Sequence, residues 1–330
     1  MNVCTDSLQF AELWFPSSPR WNAGLQEEVR EELHHIVQRL LPESPVATAS
    51  IDMPGPWQHM VLVEHAARSQ FDVLVSMMRA GFALPDGLLC LAGSGEGYHG
   101  QRGRVWAALP GNIQFSVFLS PGCQLNDIST GLTVLPAVSL VQTLDSIPGL
   151  EHRAGIRWVN DIVVDDSKLA GFLVHTQSCS GTLTGAVIGI GLNVEAVPPI
   201  APTMFVPSVT ALRTHVSDPC MSSRSAVFHR LLHFLAQNLE KLLTGRAVEL
   251  LEFYRERSLI IGRFVEVYVD SECDTLRRSA RGTVASIGDR LELVLEGEGR
   301  PVFGGRLVMK SVAADPRAAK DSVLTPATAS

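Results

Sequence analysis

The tightest constraint on the fold is the density of strand-sized segments between residues 88 and 194. Leu88–Leu91, Ile113–Leu119, Ile162–Val164, Gly171–Thr176 and Leu183–Ile190 are short apolar or alternating runs separated by turn-forming residues. A single helical pattern, Val134 to Ile147, interrupts them, and Pro136 is placed in its first turn, where a missing N–H is harmless. Successive parallel strands each need a crossover, usually helical, and this stretch has too few helices for that. It predicts an α+β unit with a mixed or antiparallel sheet packed with helices, not a doubly wound one.

The flanks extend this picture. Leu25, Val29, Leu33, Ile36, Val37 and Leu40 recur at helical spacing with charged residues between them, predicting an amphipathic helix over Leu25–Leu41. His59–Glu64 reads as a strand and Phe71–Ala80 as a helix stopped by Gly81. Ser223–Leu243 is a long helix whose stripe of Val227, Leu231, Leu232, Leu235, Leu239 and Leu242 is to pack across the sheet. From Ile261 the pattern changes to short strands over Phe264–Val269, Ser279–Ser286 and Arg290–Leu295, with a hairpin turn at Gly288-Asp289. The expected organisation is an N-terminal helical extension (1–56), the α+β unit (57–258), a small C-terminal β domain (259–312) and a disordered tail (313–330).

Bulk properties remove several function classes. The chain has 330 residues, 46% hydrophobic and 18% charged, which is enough for a substantial core plus a smaller unit. A formal net charge of −7 supplies no general basic field for nucleic acid. The longest apolar runs, such as Leu88–Ala92 and Ala186–Ile190, are strand-sized and too short to span a membrane. Met1–Phe10 lacks the basic start and apolar stretch of a secretory signal, so a cytoplasmic location is expected. Six cysteines without a C-x-x-C pair indicate reduced thiols, neither a zinc site nor a disulfide framework.

Three stretches carry groups suited to chemistry. Arg102-Gly-Arg-Val-Trp106 follows a glycine-rich segment, Gly93 to Gly100; guanidinium forks in such a loop can close on phosphate, and Trp106 offers a face to a base. Arg157-Trp-Val-Asn-Asp161 leads through Ile162–Val164 and the turn Asp165-Asp166-Ser167 to Lys168-Leu-Ala-Gly171. A Lys⁺ about 4 Å from a phosphate oxygen contributes roughly 4 kcal/mol at an effective dielectric of 20. Lys168 is therefore the candidate for stabilising charge that builds on phosphorus, with Arg157 on the same oxygens and Asp161 as a candidate Mg²⁺ ligand. Gly189-Ile-Gly-Leu-Asn193 ends a strand with alternating glycines, whose missing side chains admit a backbone or a flat ligand, and Asn193 has a donor and an acceptor for a base edge. Taken one at a time, a mobile surface loop, a strand cap at Asn160-Asp161 and an exposed turn lysine are equally open readings.

In this order and spacing, these pieces resemble the biotin protein ligase family. The matching text is Arg102–Trp106, Pro110-Gly-Asn-Ile-Gln-Phe-Ser116, Arg157–Asp161, Lys168–Gly171 and Val187–Asn193, within a resemblance covering roughly residues 58–312. The resemblance implies a class II synthetase-like catalytic domain with an SH3-like C-terminal β-barrel. It also implies ATP-dependent formation of biotinyl-5′-AMP and transfer of biotin to a lysine of a biotin carboxyl carrier protein domain. ATP and Mg²⁺ would enter as a substrate complex, with no tightly bound cofactor. Lys168, Arg104 and Arg157 would be catalytic, and Ser69, Arg102, Trp106, Asn160, Asp161, Gly171, Gly189, Gly191 and Asn193 would bind substrate or ATP. Arg157 stands where the family's K-W-P-N-D motif has lysine. The family's Gly-Arg-Gly-Arg-Arg-Gly loop appears as Tyr98-His-Gly-Gln-Arg-Gly103, its upstream glutamine is absent, and its Ser-Thr-Asn appears as Ser69-Gln70-Phe71. The related lipoyl and octanoyl transferases, or a non-catalytic acyl-adenylate-binding homologue, stay open as alternatives. No helix-turn-helix pair is present in 1–56, so no operator binding is expected; pairing of two copies through a sheet edge is left open.

Overall fold

The computed structural model describes residues 1–16, 20–24, 29–42, 45–270, 276–297 and 299–309. The predicted tail, the first turn of the Leu25–Leu41 helix and Cys273 lie outside them.

A ten-stranded mixed sheet forms the main unit. Its strands are β1 (Asn2–Thr5), β2 (Asn22–Gly24), β3 (Val46–Ser50), β4 (His59–Ala66), β5 (Leu88–Gly95), β6 (Ile113–Leu119), β7 (Ala154–Arg157), β8 (Asp161–Val164), β9 (Ser167–Cys179) and β10 (Thr182–Leu192). The spatial order is β2-β3-β1-β4-β5-β6-β10-β9-β8-β7, with β4 parallel to both β1 and β5 and every other pairing antiparallel. The α+β architecture expected from the strand density is the one found. Residues 1–56, where the sequence reading singled out a helix, also place three short strands at one end of this sheet. Each has only three to five residues and gains stability from its neighbours, so its own sequence announces little.

Helices cover both faces. On one side lie α1 (Leu8–Glu12), α4 (Leu125–Asp145), α5 (Arg224–Leu243) and α6 (Ala247–Glu256); on the other lie α2 (Glu31–Leu40) and α3 (Gln70–Arg79). β5 shows why its run is apolar throughout: Leu89 and Leu91 enter the first core, and Leu88, Cys90 and Ala92 enter the second. Helix α4 starts at Leu125, well before the predicted Val134, so Pro136 sits in the helix interior and not in its first turn. The run from Leu132 to Leu144 is buried nearly all round, and this packing holds the helix through a proline that isolated propensity would make a start or a break. In α5, Ser223 caps the N-terminus by accepting from the Ala226 N–H, and the predicted stripe is buried.

The C-terminal unit is a four-stranded antiparallel sheet of β11 (Phe264–Asp270), β12 (Leu276–Ile287), β13 (Leu293–Leu295) and β14 (Arg306–Met309), in the order β13-β12-β11-β14. The Gly288-Asp289 turn is wider than a two-residue hairpin: Leu291 adopts a positive φ and the Gly288 N–H donates to the Glu292 carbonyl. Trp158 Nε1 donates to the Leu291 carbonyl at 2.7 Å, and one apolar core continues from the main sheet through Val265, Val267 and Val284.

Candidate functional site

One cleft of about 360 Å³ opens over the C-terminal halves of β9 and β10, between the loop after β5 and the segment after β10. Its floor is built by glycines. Gly191 on β10 pairs with Gly171 on β9, and a Cβ at Gly191 would come within 2.4 Å of the Trp106 indole. A Cβ at Gly171 would meet Lys168 at 3.4 Å and the same indole at 3.6 Å. Gly189 likewise seats the Phe71 ring, at 2.8 Å from a Cβ there. The close approach expected at this glycine pattern is therefore made by the protein's own aromatic rings.

Lys168 begins β9 after a tight turn in which Asp165 and Asp166 both take positive φ. Its backbone is pinned on the far side as well, since its N–H donates to Ser208 O and its carbonyl accepts from Thr210 N. Nζ lies 2.6 Å from Asp161 Oδ1 and 5.7 Å from the Trp106 ring centroid. The other Asp161 oxygen receives Arg157 at 3.1 Å, across the β7–β8 pair. Burial pushes the Asp161 carboxyl up, but Lys168 and Arg157 together outweigh it and hold it below the ordinary carboxylate range. Arg157 is buried behind this carboxylate and does not line the cleft. Both Asp161 oxygens face cations, and among the described residues no group of three or more His, Cys, Asp or Glu side chains is arranged to hold a metal.

Asn160 donates from Nδ2 to Phe172 O at 2.8 Å. Asn193 is fully buried at the back of the cleft: its Oδ1 accepts from Asn112 Nδ2 and its Nδ2 donates to Thr210 O. Both halves of the amide read from sequence as base-facing thus have partners in the protein. Asn112 is the organiser, since its Oδ1 accepts the N–H groups of Val194, Glu195 and Ala196 and fixes the chain leaving β10.

The loop side is held by side chains from α3. Tyr98, its ring over Gly95, donates its hydroxyl to Gln70 Oε1. His99 Nε2 lies 2.9 Å from Asp72 Oδ1 and Nδ1 lies 3.0 Å from Gly100 O. With an acceptor facing each ring nitrogen, first the Gly100 carbonyl and then the Asp72 carboxylate, the imidazole pKa is raised. Ser69, the N-cap of α3, accepts from the Asp72 N–H and borders the cleft. Arg104 also lines it, with Nε donating to Gln101 O; Arg102, at positive φ, lines an adjoining shallow opening with Gly103 and His175.

Of the sequence-derived candidates, Ser69, Arg104, Trp106, Asn160, Lys168, Gly171, Gly189, Gly191 and Asn193 border one cleft. Asp161 and Arg157 stand behind Lys168, and Arg102 stands beside the opening. Sequence reasoning assigned no role to Gln114 and Ser116, although two polar residues at i and i+2 in an apolar strand mark one face of β6. It also missed Asp72 and Arg306, which reach the site from outside the motifs.

The large mixed sheet, helices on both faces and the small C-terminal sheet make the fold that of a biotin protein ligase catalytic unit. It matches a biotin protein ligase from Aquifex aeolicus in complex with biotin and ATP at a TM-score of 0.58 and 17% identity, covering 77% of this chain and 99% of that one. Residues 82–193 match the family model described as the biotin/lipoate A/B protein ligase family. A biotin--[acetyl-CoA-carboxylase] ligase from Mycobacterium tuberculosis is 28% identical over 273 residues, 79% of this chain and 92% of that protein. The bifunctional ligase/repressor BirA of Bacillus subtilis is 26% identical over 231 residues, 68% of each chain. The chain belongs to the biotin protein ligase family.

Proposed function

We propose that this protein is an ATP-dependent biotin–protein ligase. The observation that carries the reading is the cleft itself: Lys168, Arg104 and Arg306 line it, no Asp or Glu does, and the Trp106 ring lies on the glycine floor beside Lys168. Such a surface suits a flat base joined to several negative charges. ATP enters as its Mg²⁺ complex. With both Asp161 oxygens on cations, the metal is carried by the phosphates, and Asp161 positions Lys168. In the first step a carboxylate oxygen of biotin attacks the α-phosphorus, the bond to the β-phosphate breaks, and diphosphate leaves with the electron pair. Lys168 and Arg104 offset the charge that grows on the phosphoryl oxygens. In the second step the ε-amine of a lysine on a biotin carboxyl carrier protein domain attacks the acyl carbon, and AMP leaves.

The acid is recognised by the loop side, Tyr98–Gly103 with Ser69, Gln114 and Ser116. The loop's departures from the family pattern keep a lipoyl or octanoyl acid as the second reading, since Tyr98 and His99 replace a glycine and an arginine there. Residues 1–50 supply strands to the sheet, so nucleic acid has no part in this reading, which places the reaction in the cytoplasm. Among the described residues no helix is long and apolar enough to cross a membrane. The test is to incubate the protein with Mg·ATP, biotin and a carrier domain and to look by mass spectrometry for a biotin-sized increase on the carrier. No increase where a known ligase modifies that carrier overturns the proposal; labelling with lipoate and not biotin moves it to the second reading.

A further inference from the structure

Among the residues that line the cleft, all but one lie between Ser69 and Val209 in the chain; the exception is Arg306, on β14 of the C-terminal unit. Its guanidinium lies over the Phe205 ring with 3.6 Å to the centroid. Phe205 is buried and belongs to the segment after β10 that gives Pro198, Ile200, Val206 and Val209 to the cleft wall. The same ring meets Tyr268 edge to face at 5.8 Å, and Tyr268 is the residue paired with Arg306 across β11 and β14. Arg306 is thus held from two directions, by its strand register and by an aromatic face. Stacking of this kind engages the face of a guanidinium and keeps the N–H fork, in the ring's plane, as its hydrogen-bonding side.

We infer that Arg306 is a phosphate-contacting residue of the adenylation site, so that the C-terminal β unit completes the nucleotide site and is more than a platform for the carrier. The inference rests on the ligase reading above. It adds a third permanent cation to Lys168 and Arg104, contributed from a separate sheet, in a lining with no carboxylate to compete for it. The β- and γ-phosphates, which leave as diphosphate, are the groups that need this extra charge; the acid, bordered by Ser69 and Ser116, does not. Phe205 acts as a positioning residue that presents the fork.

The probe is inorganic diphosphate, titrated by calorimetry into the full-length protein and into Arg306→Gln, with steady-state KM values for ATP and for the acid measured beside it. Loss of one charge-assisted contact should weaken diphosphate binding about tenfold and raise the KM for ATP by a similar factor, with the KM for the acid unchanged. Phe205→Leu, which keeps every charge, should weaken diphosphate by about threefold because the fork loses its seat. Diphosphate binding by Arg306→Gln within twofold of the parent protein would overturn the inference. If Arg306→Gln does not unfold cooperatively, Arg306→Lys is read instead on the KM split: a rise for ATP alone supports it, and no rise or equal rises for ATP and acid overturn it. Should the parent protein bind diphosphate yet adenylate no acid, the ligase reading fails while the binding comparison still decides the role of Arg306.

Discussion

The two walls of the cleft are built in different ways. On the β8–β10 wall each functional group is fixed by the sheet: Lys168 by ladder bonds to Ser208 and Thr210 and by Asp161, Trp106 by the Gly171–Gly191 pair, Asn193 by Asn112. On the loop wall, Tyr98 and His99 are held to α3 by two side-chain contacts, one of them an ion pair with partly exposed members. A site resting on backbone ladders and buried glycines tolerates little change in shape, whereas a loop tied by side chains can change its ligand without disturbing the fold. The phosphate-handling wall here keeps its family pattern, and the acid-handling loop departs from it.

Breaking the rigid wall should have the largest effect. Lys168→Ala removes the cation nearest the reacting phosphate and should lower turnover by on the order of a hundredfold or more, with little change in the unfolding midpoint. Unchanged turnover would remove Lys168 from the reaction. Gly191→Val drives a side chain into the Trp106 ring and should cost about 1–3 kcal/mol in urea unfolding as well as nucleotide affinity. A variant as stable as the parent would show that the indole is not seated on the strand.

The loop wall should yield a smaller and pH-dependent change. The folded pKa of His99 is raised above its ordinary value, so its contribution is fully present below the unfolded pKa and is lost as pH rises through the folded one. An NMR titration of the ring should find that raised value in the parent and an ordinary one in Asp72→Asn. His99→Gln should raise the KM for the acid by no more than about fivefold, as expected of a partly exposed pair, and should flatten its pH dependence. A change in the KM for ATP instead would put the loop on the wrong half of the site.

How much of this was legible in the sequence follows from range. Strands β4 to β6 and β8 to β10, and the long helix α5, carry their own periodicity and were readable from it. The Lys168 motif was readable because its groups are close along the chain. Which partner each group would meet was not. Gly171 and Gly191 lie in separate strands, and only the antiparallel register of β9 and β10 makes them one floor. Asn193 looked available to a ligand because nothing near it in sequence announces Asn112. Asp161 looked like a metal ligand because its two cations converge on it only after β7, β8 and β9 have paired. Helix α6 carries Leu250, Leu251 and Tyr254 on a helical face, a signal present in the sequence but not used.

The most direct test of the central claim isolates the first half-reaction from any carrier: exchange of labelled diphosphate into ATP, catalysed by the parent protein with and without biotin. Exchange that requires biotin is the predicted result. No exchange with biotin, in conditions where a known biotin ligase exchanges, would contradict the assignment.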